Sequence, residues 1–308
     1  MTRVITTSAI FAGLFIPSEW MNLGLPIFAM TLIIAGIPHG AGDHLIFKKF
    51  ISSKYKRQGS YFFGFYLIVL LLYGFTWWAS PELAFSIFIL VSIYHFGQSH
   101  WNHISFNTSF FRIVTYFFWG SLVTITPVLL YSTDSQSIIQ SITGNTFNSV
   151  FSYKWQIIFI LFFTNMLILV WLLEKRLVST QKFHGEIFNL LLLEFLFFST
   201  PLLLGFAIYF VFWHSTKATV DQFEMLKSTD HNYQFRDYIF ALTPLTIMAF
   251  IGLIGMYLIW PASITSSANW GVLFLFISLI TLPHAFLVDR FLHRNAQPVK
   301  KFSFNPNK

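Results

Sequence analysis

The sequence predicts an all-α, polytopic transmembrane helical bundle, and three observations carry that reading. Of 308 residues, 55% are hydrophobic and only 10% charged, against about 25% charged in an average soluble domain. Mean hydropathy is +0.64. The remaining Lys and Arg fall in short clusters between long apolar runs. A soluble fold of this size cannot cover its surface with so few charges, and a disordered chain lacks the apolar mass. The absence of cysteine excludes disulfide frameworks, thiolate zinc sites, iron–sulfur clusters and thiol nucleophiles. The net charge of +7 then reads as basic cytoplasmic loops, and no nucleic-acid partner is expected.

A helix needs roughly 20 apolar residues to cross a bilayer. About ten runs qualify (eight to ten as the ends are drawn), near 4–16, 23–44, 61–79, 81–103, 110–131, 155–173, 186–200, 201–222, 238–260 and 269–291. The first is short and follows Arg3, but no small-residue cleavage site comes after it, and Pro17, Glu19 and Trp20 read as an interfacial turn. The stretch from Glu186 to His214 is too long for one helix and breaks naturally at Pro201. Basic clusters follow even-numbered runs only: Lys48, Lys49, Lys54, Lys56 and Arg57 after the second, Lys175, Arg176 and Lys182 after the sixth. Lys217, Lys227 and Arg236 follow the eighth, and Arg290, Arg294, Lys300 and Lys301 the tenth. The positive-inside rule then places both termini in the cytoplasm, with residues 1–308 forming one integral membrane domain. The polar stretches 132–154 and 217–237 read as loops.

Histidines are the informative residues. His39, His95, His214 and His284 lie inside apolar runs, where ionisable groups are costly and face a cavity or one another. Singly, each could be a packing or interfacial residue. Together they occupy even-numbered spans near the cytoplasmic ends, in one leaflet at one depth, where inward-facing side chains of a bundle can build a metal site. Imidazoles without thiolates favour iron, copper or zinc over calcium or magnesium, and a ligand set of low charge suits Fe(II). Asp43, four residues after His39, and Gln98, three after His95, are placed to accept or orient the second ring nitrogen, with Glu194 as another buried carboxylate. The other histidines, His44, His100, His103, His184, His231 and His293, read as peripheral.

Smaller signals surround this set. Gly36, Gly40, Gly42 and Gly97 flank two of the histidines, and either close ligand approach or helix packing accounts for them. Pro38 and Pro283 each precede a histidine, in Ile37-Pro38-His39 and Leu282-Pro283-His284, and each triplet is followed by an aspartate, Asp43 or Asp289. The 40 phenylalanines fit either a tunnel for a long unsaturated lipid or plain lipid contact.

Ile37-Pro38-His39-Gly40-Ala41-Gly42-Asp43, Tyr94-His95-Phe96-Gly97, Trp213-His214-Ser215 and Leu282-Pro283-His284, in this order and membrane setting, resemble the Brp/Blh family of membrane-bound β-carotene dioxygenases. The resemblance covers nearly the whole chain. It implies cleavage of the central double bond of β-carotene by dioxygen to two all-trans-retinal, at a non-haem Fe(II) held by His39, His95 and His214. It further implies a bacterial inner-membrane location, surrounding lipid, and a microbial rhodopsin as recipient of retinal. Many members carry a second histidine four residues after that of the Trp-His-Ser motif; here the position is Ala218, so His284 becomes the candidate fourth ligand. Gln98-Ser99-His100 also departs from an expected acidic residue. The competing readings are a b-haem electron-transfer protein, a metal or proton transporter, and a catalytically silent carotenoid- or retinal-binding relative. No general acid or base beyond the ligands stands out.

Overall fold

The computed structural model describes residues 2–15, 30–51, 58–146, 148–259 and 268–295, which are helical apart from short connections, with no strand among them. The helices are α1 (Thr2–Phe15), α2 (30–51), α3 (Gln58–Ala79), α4 (Pro81–Trp101), α5 (Ser109–Leu130) and α6 (Ser132–Thr143). They continue as α7 (Asn148–Ser152), α8 (Lys154–Glu174), α9 (Thr180–Ser199), α10 (202–227), α11 (Phe235–Ile259) and α12 (Ala268–Asn295). Among the described residues, five stretches are long and apolar enough to cross a membrane: Gly59–Ala79, Ser109–Leu130, Lys154–Glu174, Phe235–Ile259 and Val272–Arg290. The described parts of the other five apolar runs also lie on helices (α1, α2, α4, α9 and α10), which fall short of that standard among the described residues. The predicted turn at Pro17, Glu19 and Trp20, and the basic residues Lys54, Lys56, Arg57, Lys300 and Lys301, lie outside the described residues.

The break at Pro201 is present. Thr200 (φ −127°, ψ 144°) and Pro201 (φ −53°, ψ 151°) are extended, and helix resumes at Leu202. Proline donates no backbone hydrogen bond and forces the residue before it out of the helical region. Side-chain caps start two other helices: Thr108 accepts from the Phe111 amide at α5, and Ser179 from the Lys182 amide at α9.

Two stretches read as loops are helical. Residues 132–143 form α6, which buries Ser135, Ile139 and Thr143 at four-residue spacing and ends on Gly144 in the left-handed conformation. Its Ile139 belongs to one buried cluster with Leu129, Phe151 and Ile158, against which Phe85 packs. The Ser, Thr and Gln on its other faces hide this amphipathic pattern from a hydropathy scan. Likewise, α10 continues through Thr216–Lys227.

Glycines set the tightest helix contact. A Cβ on Gly97 of α4 would strike the carbonyl of Tyr116 on α5, and one on Gly120 would strike that of Ile93. These glycines let two backbones touch, so Gly97 serves helix packing. Beside this contact lies the main core, where Trp101, Trp119, Leu122, Leu190, Leu193 and Phe197 join α4, α5 and α9.

Candidate metal centre

Two of the four histidines sit next to or inside widened turns. In α2 a π-helical turn at Leu32–Gly36 leads into Ile37–Ala41, and Pro38, which donates no backbone hydrogen bond, comes just after that widened turn. His214 lies within the π-helical segment Tyr209–Ser215 of α10. A π turn carries an extra residue and re-aims the side chains after it. His95 is on regular α4, and His284 follows Pro283 inside α12.

The structure brings all four rings together. Centroids are 5.3 Å apart for His39–His214, 4.7 Å for His39–His284, 5.0 Å for His95–His214 and 4.9 Å for His95–His284, all edge-to-face. Each pair is too close for a porphyrin to lie between facing imidazoles, which argues against the haem reading. One nitrogen from each of His39, His95 and His214 lies within 4.8 Å of the others, and this buried trio could hold a metal ion. His284 is outside that trio but packs on two of its members. Both ring nitrogens of His39 and His95, Nδ1 of His214 and Nε2 of His284 are buried without a hydrogen-bond partner among the described residues. Each unpaired buried polar atom costs about 1–3 kcal/mol. Four rings that each leave at least one buried nitrogen without a partner fit a metal with nitrogen preference, of the iron, copper or zinc type.

Asp43 belongs to the centre through His284 rather than through His39. His284 Nδ1 lies 2.8 Å from Asp43 Oδ1, and the same fully buried carboxylate accepts the Tyr66 hydroxyl. This is the carboxylate–histidine arrangement that orients metal ligands. Sequence spacing pointed Asp43 at its own helix, and Tyr66 carried no sequence signal. Gln98 turns away from His95: its amide donates to Asp289 at 2.8 Å, as the Tyr94 hydroxyl does at 3.1 Å. Glu194 is remote, lining a small separate cavity with Trp155 and Phe198. Ala218 offers no ligand atom. Exposed His103, His184 and His231 are peripheral as expected, whereas His100 is not. It bonds Glu186 at 3.0 Å and stacks on Trp119 at 3.9 Å. Asn189 donates to Glu186, and Arg3 to Asn189, so the network ties α1, α4 and α9 together. Replacing Asp43 with Asn is expected to weaken metal affinity by about 10–100-fold. A chelator-competition titration reads this, and unchanged affinity would reduce Asp43 to a packing role.

A cavity of about 1010 Å³ opens from the centre, and all four histidines and Tyr66 line it. Along α4 it reaches from His95 back to Phe85, and along α12 from His284 back to Phe274. Ten residues of helix span about 15 Å. Gly36 and Gly40 form part of its wall, and a Cβ at Gly40 would meet nothing, while Gly42 packs on Gln222 and Tyr238. The phenylalanines divide: Phe85, Phe96, Phe206 and Phe274 are among those lining the cavity, whereas Phe75, Phe110 and Phe159 face outward.

A profile of the family described as beta-carotene 15,15'-dioxygenase matches residues 30–292, a stretch that holds all four histidines. A curated protein named beta-carotene 15,15'-dioxygenase, from the uncultured marine bacterium 66A03, is 26% identical over 291 residues, covering 92% of this chain and 97% of that one. No solved structure matches the chain.

Proposed function

Because the chain belongs to the β-carotene 15,15'-dioxygenase family, we propose that it cleaves the central double bond of β-carotene with dioxygen at an iron(II) held by His39, His95, His214 and His284. The observation that carries this reading is the convergence of partnerless imidazole nitrogens on the wall of a long, largely hydrocarbon cavity. Bound iron(II) supplies the binding and activation of dioxygen. The reaction balances without a further reductant: one forty-carbon hydrocarbon and one O₂ give two all-trans-retinal, each carrying one oxygen atom.

The protein's own contribution is positional. His284 donates through Nδ1 to Asp43, which leaves Nε2 as its free donor atom toward the other rings. Tyr66 holds the far side of that carboxylate. The cavity walls along α4 and α12, which run side by side from the histidines, hold one half of the polyene so that its central bond lies at the rings, and these apolar walls exclude water from the reacting bond. Phe63 and Leu67 of α3 and Met248 of α11 line the cavity while remaining 48%, 56% and 55% exposed on the outside, which supports lateral access from the bilayer. The basic clusters support a ten-span topology in a bacterial inner membrane with both termini cytoplasmic. Released retinal then partitions into the same membrane, where a microbial rhodopsin can take it.

Expression in a β-carotene-accumulating bacterium tests the reading. Loss of orange colour with retinal appearing on chromatography supports it, and unchanged carotene with an iron-replete protein overturns it. His284→Ala is expected to lower retinal formation at least tenfold and to reduce iron per chain. Full activity with full iron would restrict the ligand set to three histidines.

A further inference from the structure

The cavity wall carries two hydroxyl groups that a hydrocarbon leaves unsatisfied. Thr124 on α5 and Ser135 in the first turn of α6 both line it and are 6% and 2% exposed. Neither Oγ has a hydrogen-bond partner among the described residues. Many other helical hydroxyls donate to the carbonyl one turn back. Ser86 to Glu82 and Thr281 to Ile277 do so within the same cavity wall. Buried Thr126, outside that wall, also has no partner among the described residues. What sets Thr124 and Ser135 apart is that their orphan hydroxyls share one cavity wall, at about 1–3 kcal/mol each while unpaired.

Their position along the cavity is informative. α4 and α5 run antiparallel with Gly97 against Tyr116 and Gly120 against Ile93. Continuing that register sets Thr124 level with Ile89, six residues from His95, or about 9 Å of helix. Ser135 lies farther out, five residues beyond Leu130 at the end of α5 and in the helix whose Ile139 shares a packing cluster with Phe85, itself ten residues from His95 and about 15 Å along α4. That distance is the reach of half a forty-carbon polyene from its central bond to its end ring.

We propose that Ser135 and Thr124 form a subsite for an oxygen substituent on one end ring, so that the substrate class includes carotenoids with a hydroxylated or keto ring. A ring oxygen there takes a hydrogen bond from Ser135 at the outer edge, with Thr124 about one turn nearer the histidines. The inference rests on the carotenoid-cleavage reading and adds a selectivity to it.

Purified protein is assayed with β-carotene and with 3-hydroxy-β,β-carotene, which cleaves to one retinal and one 3-hydroxyretinal. The quantity read is the ratio of kcat/KM for the hydroxylated substrate to that for β-carotene, taken within each variant so that a general loss of activity cancels. Ser135→Ala and Thr124→Val are expected to lower this ratio roughly five- to tenfold, the worth of one hydrogen bond, and Ser135→Thr to retain it. Wild-type protein that cleaves β-carotene but shows no change of ratio in either variant, or refuses the hydroxylated substrate, overturns the subsite alone. Protein that cleaves neither substrate overturns the carotenoid reading itself.

Discussion

Alanine at His39, His95 or His214 is expected to abolish retinal formation, with a loss of roughly 100-fold or more in each case. Changing residues that only orient metal ligands costs about 10–100-fold, and removing a nitrogen of the trio should reach or pass the top of that range. The three come from α2, α4 and α10 and their nitrogens lie within 4.8 Å of one another, so removing any one opens a side of the site. Iron per chain, measured on purified protein, should fall with activity. Full retinal formation by any one variant, at matched protein level, would remove that residue from the metal centre.

Gly97→Ala is expected to have the largest effect on stability. Overpacking a well-filled interior usually costs about 1–3 kcal/mol, because side chains relax around the intruder. Here the added methyl meets a backbone carbonyl, that of Tyr116, which no rotamer change can move. The cost should therefore lie at or above that range, and α4 must separate from α5. The readout is the yield of folded protein and its thermal-inactivation half-life in detergent. Gly64→Ala on α3 is the control, since its Cβ would meet nothing. Equal half-lives for the two variants would show that the α4–α5 contact tolerates separation.

The comparison between sequence and structure follows from range. Apolar length and charge placement are local properties, so every predicted run that is described lies on a helix, and the chain breaks at Pro201. The four histidines were legible because burying an imidazole in an apolar run is expensive wherever the run packs. α6 was missed because its buried face is only Ser135, Ile139 and Thr143, too polar for a hydropathy threshold. Asp43 was singled out but given the wrong partner, since spacing along α2 says nothing about α12. His100 was read as a solvated residue because its partners Glu186 and Trp119 lie on other helices. The π turns before His39 and around His214 likewise have no local signature, yet they aim both rings.

The bond between Asp43 and His284 joins residues 241 positions apart, and this separation sets an order on biogenesis. At a synthesis rate of about 5–20 residues per second, the ribosome needs on the order of ten to fifty seconds to deliver α12 after α2. Both α4 and α10 are made within that interval, and until its end the carboxylate of Asp43 has no His284 imidazole to hold. The fourth histidine of the proposed centre thus arrives only with α12, and on that reading a four-histidine metal site forms only after this helix has been inserted. A chain cut short before α12 should accumulate as membrane protein that carries three of the histidines without the partner that orders the fourth position.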